Sequence, residues 1–494
     1  MRYIVADYHD KKHMRNRIRE LESVARRLDP GEEERKELLS AAGGYALKFL
    51  REIEQKKTYV PDDSRTGLLD SGFDEGPALF TELLTEYQRE VDTTGILPAS
   101  GGQMGYIPGG GLFPSALGDF LAGISNRYSG VSFAGPGAAE MEGALVRWMC
   151  NLAGYPDSAN GDLTSGGSLA TLSALVTARD HHEITHQVIP DACIYLTEQA
   201  HHCIGSALHV AGLGAVRRRI VPMDANYRMR IAALEEMIAA DVQRNHKPWL
   251  VIASAGTTDT GAVDPIAGVA DVCTRYGLWF HLDAAYGGFF RLCDEAGRLL
   301  GGMSRADSIV MDPHKGLGLP YGCGAVLIRQ GHLLARSFTY YADYMQDAIS
   351  RERDSAEHYS PADFSLELTR PFRGPRMWFP LKLLGLAPFR AALAEKIGLA
   401  RYFHREISTV EGFEAGPEPD LSIVTFRYCC NRGDEEELNR RLLQAVHDDG
   451  RVFITSTRID GRFTLRRAVL NFRTHLEQVD YLLELLREKS REFR

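Results

Sequence analysis

Apolar positions recur along this chain in distinct periods. Between residues 13 and 92 the period is helical. Met14, Ile18, Leu21, Ala25 and Leu28 follow one another at spacings of four and three and share one helix face. Leu38, Leu39, Ala42, Tyr45, Ala46, Phe49, Leu50 and Ile53 form a second stripe, weakened by Gly43-Gly44. Leu79, Phe80, Leu83, Leu84, Tyr87 and Val91 form a third. Such stripes need a covering surface, and a partner subunit is the expected one.

From about residue 96 to 380 the pattern changes to short apolar runs alternating with helical periods. Strands are expected at Cys193–Thr197, Val216–Val221, Trp249–Ser254, Leu278–Asp283, Ser308–Asp312 and Gly324–Arg329. Helices are expected between them at His201–Leu213, Ile231–Arg244 and Pro265–Tyr276. This alternation predicts an α/β fold with a mostly parallel central sheet covered by helices on both faces. Ligands of such sheets bind at the carboxyl ends of the strands. Residues 95–118 carry eight Gly and three Pro and read as an irregular loop. The last segment, 381–494, mixes strands at Leu421–Tyr428, Val452–Ser456 and Phe463–Asn471 with helices at Glu435–His447 and His475–Lys489. The expected organisation is an N-terminal helical arm (1–95), a large domain (96–380) and a small C-terminal α+β domain (381–494).

Composition narrows the function classes. The chain has 494 residues and a formal net charge of −9, so no broad basic field favours nucleic acid or anionic membrane. No apolar run has signal-peptide or membrane-span length, and the eight cysteines are dispersed without Cys-x-x-Cys pairs. A cytoplasmic protein with reduced core cysteines and no metal site is expected, with Cys429-Cys430 buried in a strand. The histidines at 181, 182 and 186 read as solvated rather than metal-binding. Glycine is in excess, at 48 residues.

Candidate chemistry collects where the expected strands end. Leu282-Asp283-Ala284-Ala285 follows one apolar run, and Met311-Asp312-Pro313-His314-Lys315-Gly316 follows another. A lysine held in apolar surroundings has a depressed pKa and can act as an amine nucleophile or form a Schiff base. Thr164-Ser165-Gly166-Gly167-Ser168 runs into a helical pattern, where exposed backbone N–H groups suit a phosphate. Thr197-Glu198-Gln199-Ala200-His201 and Ser254-Ala255-Gly256-Thr257-Thr258 end two further strands. Taken singly, each has an ordinary structural explanation: a turn aspartate, a surface lysine, a serine cap. Together they supply what pyridoxal phosphate requires, namely an amine for its aldehyde, a carboxylate for its ring nitrogen, an imidazole to stack on the ring, and donors for its phosphate.

At these residues, from about Gly101 to Trp378, the sequence resembles the group II pyridoxal-phosphate amino-acid decarboxylases. His-Leu-Asp-Ala-Ala-Tyr and Asp-Pro-His-Lys carry the resemblance. It implies the aspartate-aminotransferase type of fold and a homodimer with shared active sites. It also implies roles: Lys315 as the Schiff-base lysine, Asp283 at the pyridine nitrogen, Ala285 near the ring and His201 stacked on it. Gly167, Ser168 and His314 would hold the phosphate or its surroundings, and Thr258 would contact the cofactor or its aspartate. Two positions depart from the family pattern: Asp312 stands where Asn is usual, and Leu169 where Glu is usual.

The family's mobile-loop tyrosine corresponds to Tyr344, with Tyr340 and Tyr341 as rivals. Phenylalanine there would imply the aldehyde-forming branch, so tyrosine implies simple decarboxylation. Tyr106, Ile107 and Pro108 resemble a pocket segment that borders an aromatic side chain, with Val131 in the same pocket. The expected reaction is decarboxylation of an aromatic L-amino acid to its amine. An acidic substrate, which would need a basic residue such as Arg127, and another Schiff-base chemistry on the same fold are the alternatives. A desulfurase would need a mobile cysteine, and Cys323 sits in an apolar strand approach. A non-catalytic scaffold would leave the Lys–Asp–His set without a reason.

Overall fold

The computed structural model describes residues 2–61, 67–69, 72–73, 75–107, 109–339, 360–429 and 434–492. Contacts divide the chain into two compact units, one of residues 1–56 with 62–95, the other of 57–61 with 96–494. The first holds the helices Arg2–Ala25, Glu32–Glu52 and Phe80–Glu90. The first of its apolar stripes faces outward: Met14, Ile18 and Leu21 are each more than half exposed.

The second unit is built on a seven-stranded sheet. In chain order its strands are β1 (Asn160–Thr164), β2 (Ala192–Leu196), β3 (Arg217–Ile220), β4 (Lys247–Ser254), β5 (Trp279–Asp283), β6 (Ser308–Met311) and β7 (Gly324–Ile328). They lie side by side as β1-β7-β6-β5-β4-β2-β3. The pairs from β6 across to β3 are parallel, and β7 is antiparallel to both its neighbours. The mostly parallel sheet thus matches the expectation.

Burial on both faces explains the continuous apolar runs. Phe280, Leu282, Ile309, Met311, Ala325 and Leu327 join one core cluster. Trp279, Val310, Val326 and Ile328, alternating with them along the strands, join another on the opposite face. Helices Pro136–Ala153, Ile231–Gln243 and Ile266–Tyr276 cover the first face, and Gly167–His181, Cys203–Val210 and His332–Phe338 the second. Fully burying a large apolar side chain stabilises by roughly 1.5–3 kcal/mol, so this double core dominates the fold. The Ile266–Tyr276 helix stops at Gly277, whose φ of 65° suits glycine, and the chain turns at once into β5.

Four expectations need correction. The glycine-rich stretch 95–118 is not loop throughout: helix Phe113–Ser125 begins within it, started by Pro114 in its first turn. The strand expected at Val452–Ser456 lies at Thr455–Ile459 instead. Phe453 bonds to the backbone of Gly102 and Met104, so this apolar stretch is buried outside the sheet. His182 is only partly exposed and lies near the rings of Trp249 and Trp279. Cys429 follows its strand rather than lying in it, half-buried, and Cys430 is outside the described residues.

The C-terminal residues form a second sheet. Strands β8 (Phe413–Ala415), β9 (Ile423–Tyr428), β10 (Thr455–Ile459) and β11 (Arg462–Ala468) are ordered β8-β9-β11-β10, all antiparallel. Helices Ala387–Ser408, Glu435–Asp449 and Leu476–Arg491 supply Phe403, Val446 and Leu482 to its core. Among the described residues no helix is long and apolar enough to cross a membrane.

Candidate active site

Strand register brings the chemistry to one edge. Ser254 of β4 lies opposite Asp283 of β5, and Asp283 opposite Val310 of β6. Beyond these ends opens a cavity of about 370 Å³. Its lining includes Lys315, Asp283, Ala285, His201, Gly167, Ser168, Thr258, His314 and Ile107. These nine residues were expected at the site from the sequence. Tyr106 and Val131 do not line the cavity: Tyr106 is 62% exposed with its ring near Phe453, and Val131 is buried elsewhere. Pro108 and Tyr344, with its rivals Tyr340 and Tyr341, lie outside the described residues. Arg127 is exposed and away from the lining.

Each group is held by local geometry. Lys315 sits in the one-turn helix Pro313–Gly316 directly after β6, which projects its amine across the strand ends. Its Nζ lies 2.9 Å from Asp312 Oδ2. Burial alone would lower the Lys315 pKa, but the Asp312 carboxylate outweighs it and leaves the pKa raised. The apolar-lysine expectation is therefore wrong in sign for this state. The neighbouring residues were read as apolar, whereas a buried acid three positions earlier holds the ammonium.

Asp283 Oδ1 accepts the Ala285 N–H at 3.1 Å, which fixes the carboxylate at the strand end. His201 Nδ1 accepts the Cys203 N–H at 3.2 Å, and the residue lines the cavity. Burial lowers the His201 pKa against the opposing pull of Asp283, so the ring is neutral at pH 7. His314 Nδ1 lies 2.6 Å from the Cys323 carbonyl, and burial lowers its pKa too.

The turn read as phosphate-binding leads into a helix and is tightly packed. The Gly167–His181 helix starts without a side-chain cap, so its first N–H groups remain open as donors. Backbone packs too closely there for side chains: a Cβ on Gly324 would come within 2.5 Å of Gly166, and one on Gly167 within 2.8 Å of Asp312. The lining also includes residues given no role from the sequence, Thr171, Cys203 and Tyr286 among them. Thr171 falls one helical turn after Gly167 and Ser168, a spacing that could have revealed it. Burial pushes the Cys203 thiol up to about 11, so it is no ready nucleophile. Tyr286 hydrogen-bonds Ser422 at 2.6 Å and so joins the site to the C-terminal sheet. Arg466 of β11 adds a second tie, donating to the Thr258 carbonyl at 2.8 Å.

The residues fit pyridoxal phosphate: an amine, a carboxylate and an imidazole converge, an open helix N-terminus faces them, and a buried Asp312 oxygen lacks a partner. Comparison with known proteins agrees. Residues 61–429 match the pyridoxal-dependent decarboxylase conserved domain. The chain is 32% identical to an aromatic-L-amino-acid decarboxylase of Bacillus atrophaeus over 380 residues, covering 76% of this chain and 78% of that one. It is 27% identical to the aromatic-L-amino-acid decarboxylase of Cavia porcellus, covering 90% and 95%. A crystal structure of Oryza sativa TDC with PLP and tryptamine superposes with a TM-score of 0.88 at 26% identity, over 94% of this chain and 99% of that one.

Proposed function

This chain belongs to the pyridoxal-dependent decarboxylases, and from that premise we propose that it releases carbon dioxide from an aromatic L-amino acid to give the corresponding amine. The convergence of Lys315, Asp283 and His201 on one cavity carries this reading. When bound, pyridoxal phosphate supplies an aldehyde for the amine and a protonated ring that accepts the electrons left by the departing carboxylate. Lys315 would hold the cofactor through its amine and release it to the substrate amine. Asp283 would keep a proton on the ring nitrogen, and His201 would offer its imidazole to the ring. The helix N-terminus at Gly167 and Ser168 would hold the phosphate, with His314 beside it, and Thr258 would position the cofactor or Asp283. Tyr344 would deliver the proton to Cα in place of the lost carboxylate.

The lining favours an aromatic over an acidic substrate. Among the described lining residues Lys315 is the only one cationic at neutral pH, since burial keeps His201 and His314 below the usual imidazole value. Among the described residues no arginine lines the cavity to receive a second carboxylate, whereas Ile107 and Leu169 offer apolar surface. The test is carbon dioxide release across the twenty amino acids. Turnover confined to tyrosine, tryptophan, phenylalanine or dihydroxyphenylalanine is expected; preferential turnover of glutamate or aspartate would overturn the substrate reading.

The active form is proposed to be a cytoplasmic homodimer whose N-terminal helices cover their apolar stripes on the partner. Met14, Ile18 and Leu21 at more than half exposure support this. Light scattering should give twice the 54.9 kDa chain mass, and a single-chain mass at working concentration would refute it.

A further inference from the structure

Residues 98–107 and 109–111 form neither helix nor strand, apart from a single bridge between Gln103 and Phe453. Backbone carbonyls in such a stretch need partners from elsewhere. Many of them find those partners in residues 451–474. Asn471 Nδ2 donates to the carbonyls of Pro98 at 2.9 Å and Ser100 at 2.7 Å. A single nitrogen of Arg473, Nη1, donates to Ala99 at 3.1 Å and to Gly110 at 2.8 Å. Thr474 Oγ1 donates to Gly101 at 2.7 Å, and Arg466 Nη1 to Tyr106 at 2.9 Å. The Phe453 N–H donates to Gly102 and the Ala468 N–H to Met104. Asn471 is fully buried, and its Oδ1 accepts the Arg473 N–H at 3.0 Å, so the two residues hold each other as well as the stretch.

The far end of this stretch rests on the Lys315 turn. The Leu112 N–H donates to the Gly318 carbonyl at 2.9 Å. A Cβ on Gly109 would run into the His314 carbonyl, so glycine at 109 is a condition of the approach. Ile107, two residues earlier, lines the cavity together with Lys315. Two contacts therefore fix that wall: Gly109 against His314, and Arg473 on the Gly110 carbonyl. Neither Asn471 nor Arg473 is among the described lining residues, so both act through the backbone they hold.

We propose that Arg473 and Asn471 are positioning residues that hold the Ile107 wall against the Lys315 turn and so set the size of the side chain the cavity accepts. This rests on the aromatic decarboxylation proposed above. Hydrogen bonds from a guanidinium are roughly twice as strong as those between neutral groups, so losing Arg473 frees the Gly110 end most. A wall displaced by the width of one methylene changes selectivity by roughly 10–200-fold. Relaxation outward makes room for the larger ring.

The test is steady-state kinetics of the full-length, loaded protein on phenylalanine and tryptophan. Arg473→Met should raise the KM for phenylalanine with kcat largely kept, because the wall binds the side chain and takes no part in bond breaking. It should move the ratio of kcat/KM values about tenfold toward tryptophan, with the visible Schiff-base absorbance intact. Arg473→Lys, whose ammonium keeps donors for both carbonyls, should restore most of the wild-type ratio. Gly109→Ala pushes the same wall off the His314 carbonyl with Arg473 in place, and should move the ratio the same way. It decides the matter if R473M folds poorly. Lower thermal stability with an unchanged ratio and unchanged KM in these variants is what a merely structural role predicts, and that result would overturn the proposal while leaving the aromatic decarboxylase reading intact. A wild-type protein that releases carbon dioxide from no aromatic amino acid would overturn the substrate reading, and this proposal with it.

Discussion

Replacing Arg370 with methionine should destabilise the protein strongly at alkaline pH and much less in mild acid. The Arg370 side chain is fully buried between two acids. It donates to Asp162, to Glu142 at 3.1 Å and to the Leu163 carbonyl at 2.7 Å. It thereby ties β1 and the Pro136–Ala153 helix to the segment that begins at Ser360. Methionine fills much of the volume but removes the cation between the two carboxyls, leaving Glu142 only the Arg373 and Gly374 backbone N–H groups, a loss of roughly 3–5 kcal/mol.

The pH dependence follows from the two acids. Burial raises the Glu142 carboxyl from 4.5 to about 7, with Arg370 opposing, and raises that of Asp162 as well. Both folded-state values exceed the unfolded ones, so the folded protein binds more protons through that window. Stability therefore falls as pH rises from about 4.5 toward 7, by on the order of 3 kcal/mol for Glu142. Without Arg370 both carboxyls rise further, and acid relieves the variant more than the wild type. Urea unfolding followed by tryptophan fluorescence, to which Trp148 of the Pro136–Ala153 helix contributes, measures the difference. A loss below ~1 kcal/mol at about pH 8, or an equal loss at about pH 5 and pH 8, would refute the reasoning.

Three further outcomes are expected. Lys315→Ala should abolish the visible Schiff-base absorbance, and the same band at full intensity would remove Lys315 from its role. Tyr344→Phe should lower amine formation by roughly 10²–10⁴, the usual worth of a general acid, with cofactor absorbance intact; unchanged amine output would point to Tyr340 or Tyr341. Gly324→Ala places a Cβ 2.5 Å from the Gly166 backbone. It should cost roughly 1–3 kcal/mol of stability, and dialysis should show faster cofactor loss. Unaltered retention would mean that the cradle tolerates displacement.

The central sheet was readable because its strands are buried on both faces. Such strands are written as unbroken apolar runs, and those of β4, β5 and β6 stop where the chain meets the cavity. Asp283 and Lys315 were visible for that reason, as was the Gly167 turn by its small residues. β1 was not visible. Asn160-Gly161-Asp162-Leu163-Thr164 contains one large apolar residue and reads as polar loop. It is a buried strand because Gly161 lets the Val326 carbonyl approach and because Arg370, 208 residues later, neutralises Asp162.

Local pattern by itself therefore determined the fold class, the strand ends and the residue types gathered there. Hydrophobic periodicity and the chemistry of a side chain are both properties of a short stretch of sequence. Tertiary structure decided what depends on distant partners. It set the charge state of Lys315 through Asp312, left Tyr106 and Val131 off the cavity wall, and brought Tyr286 and Arg466 to join the site to the C-terminal sheet. Electrostatic shifts and burial arise from whichever groups lie within a few ångströms, and only the folded chain determines which groups those are.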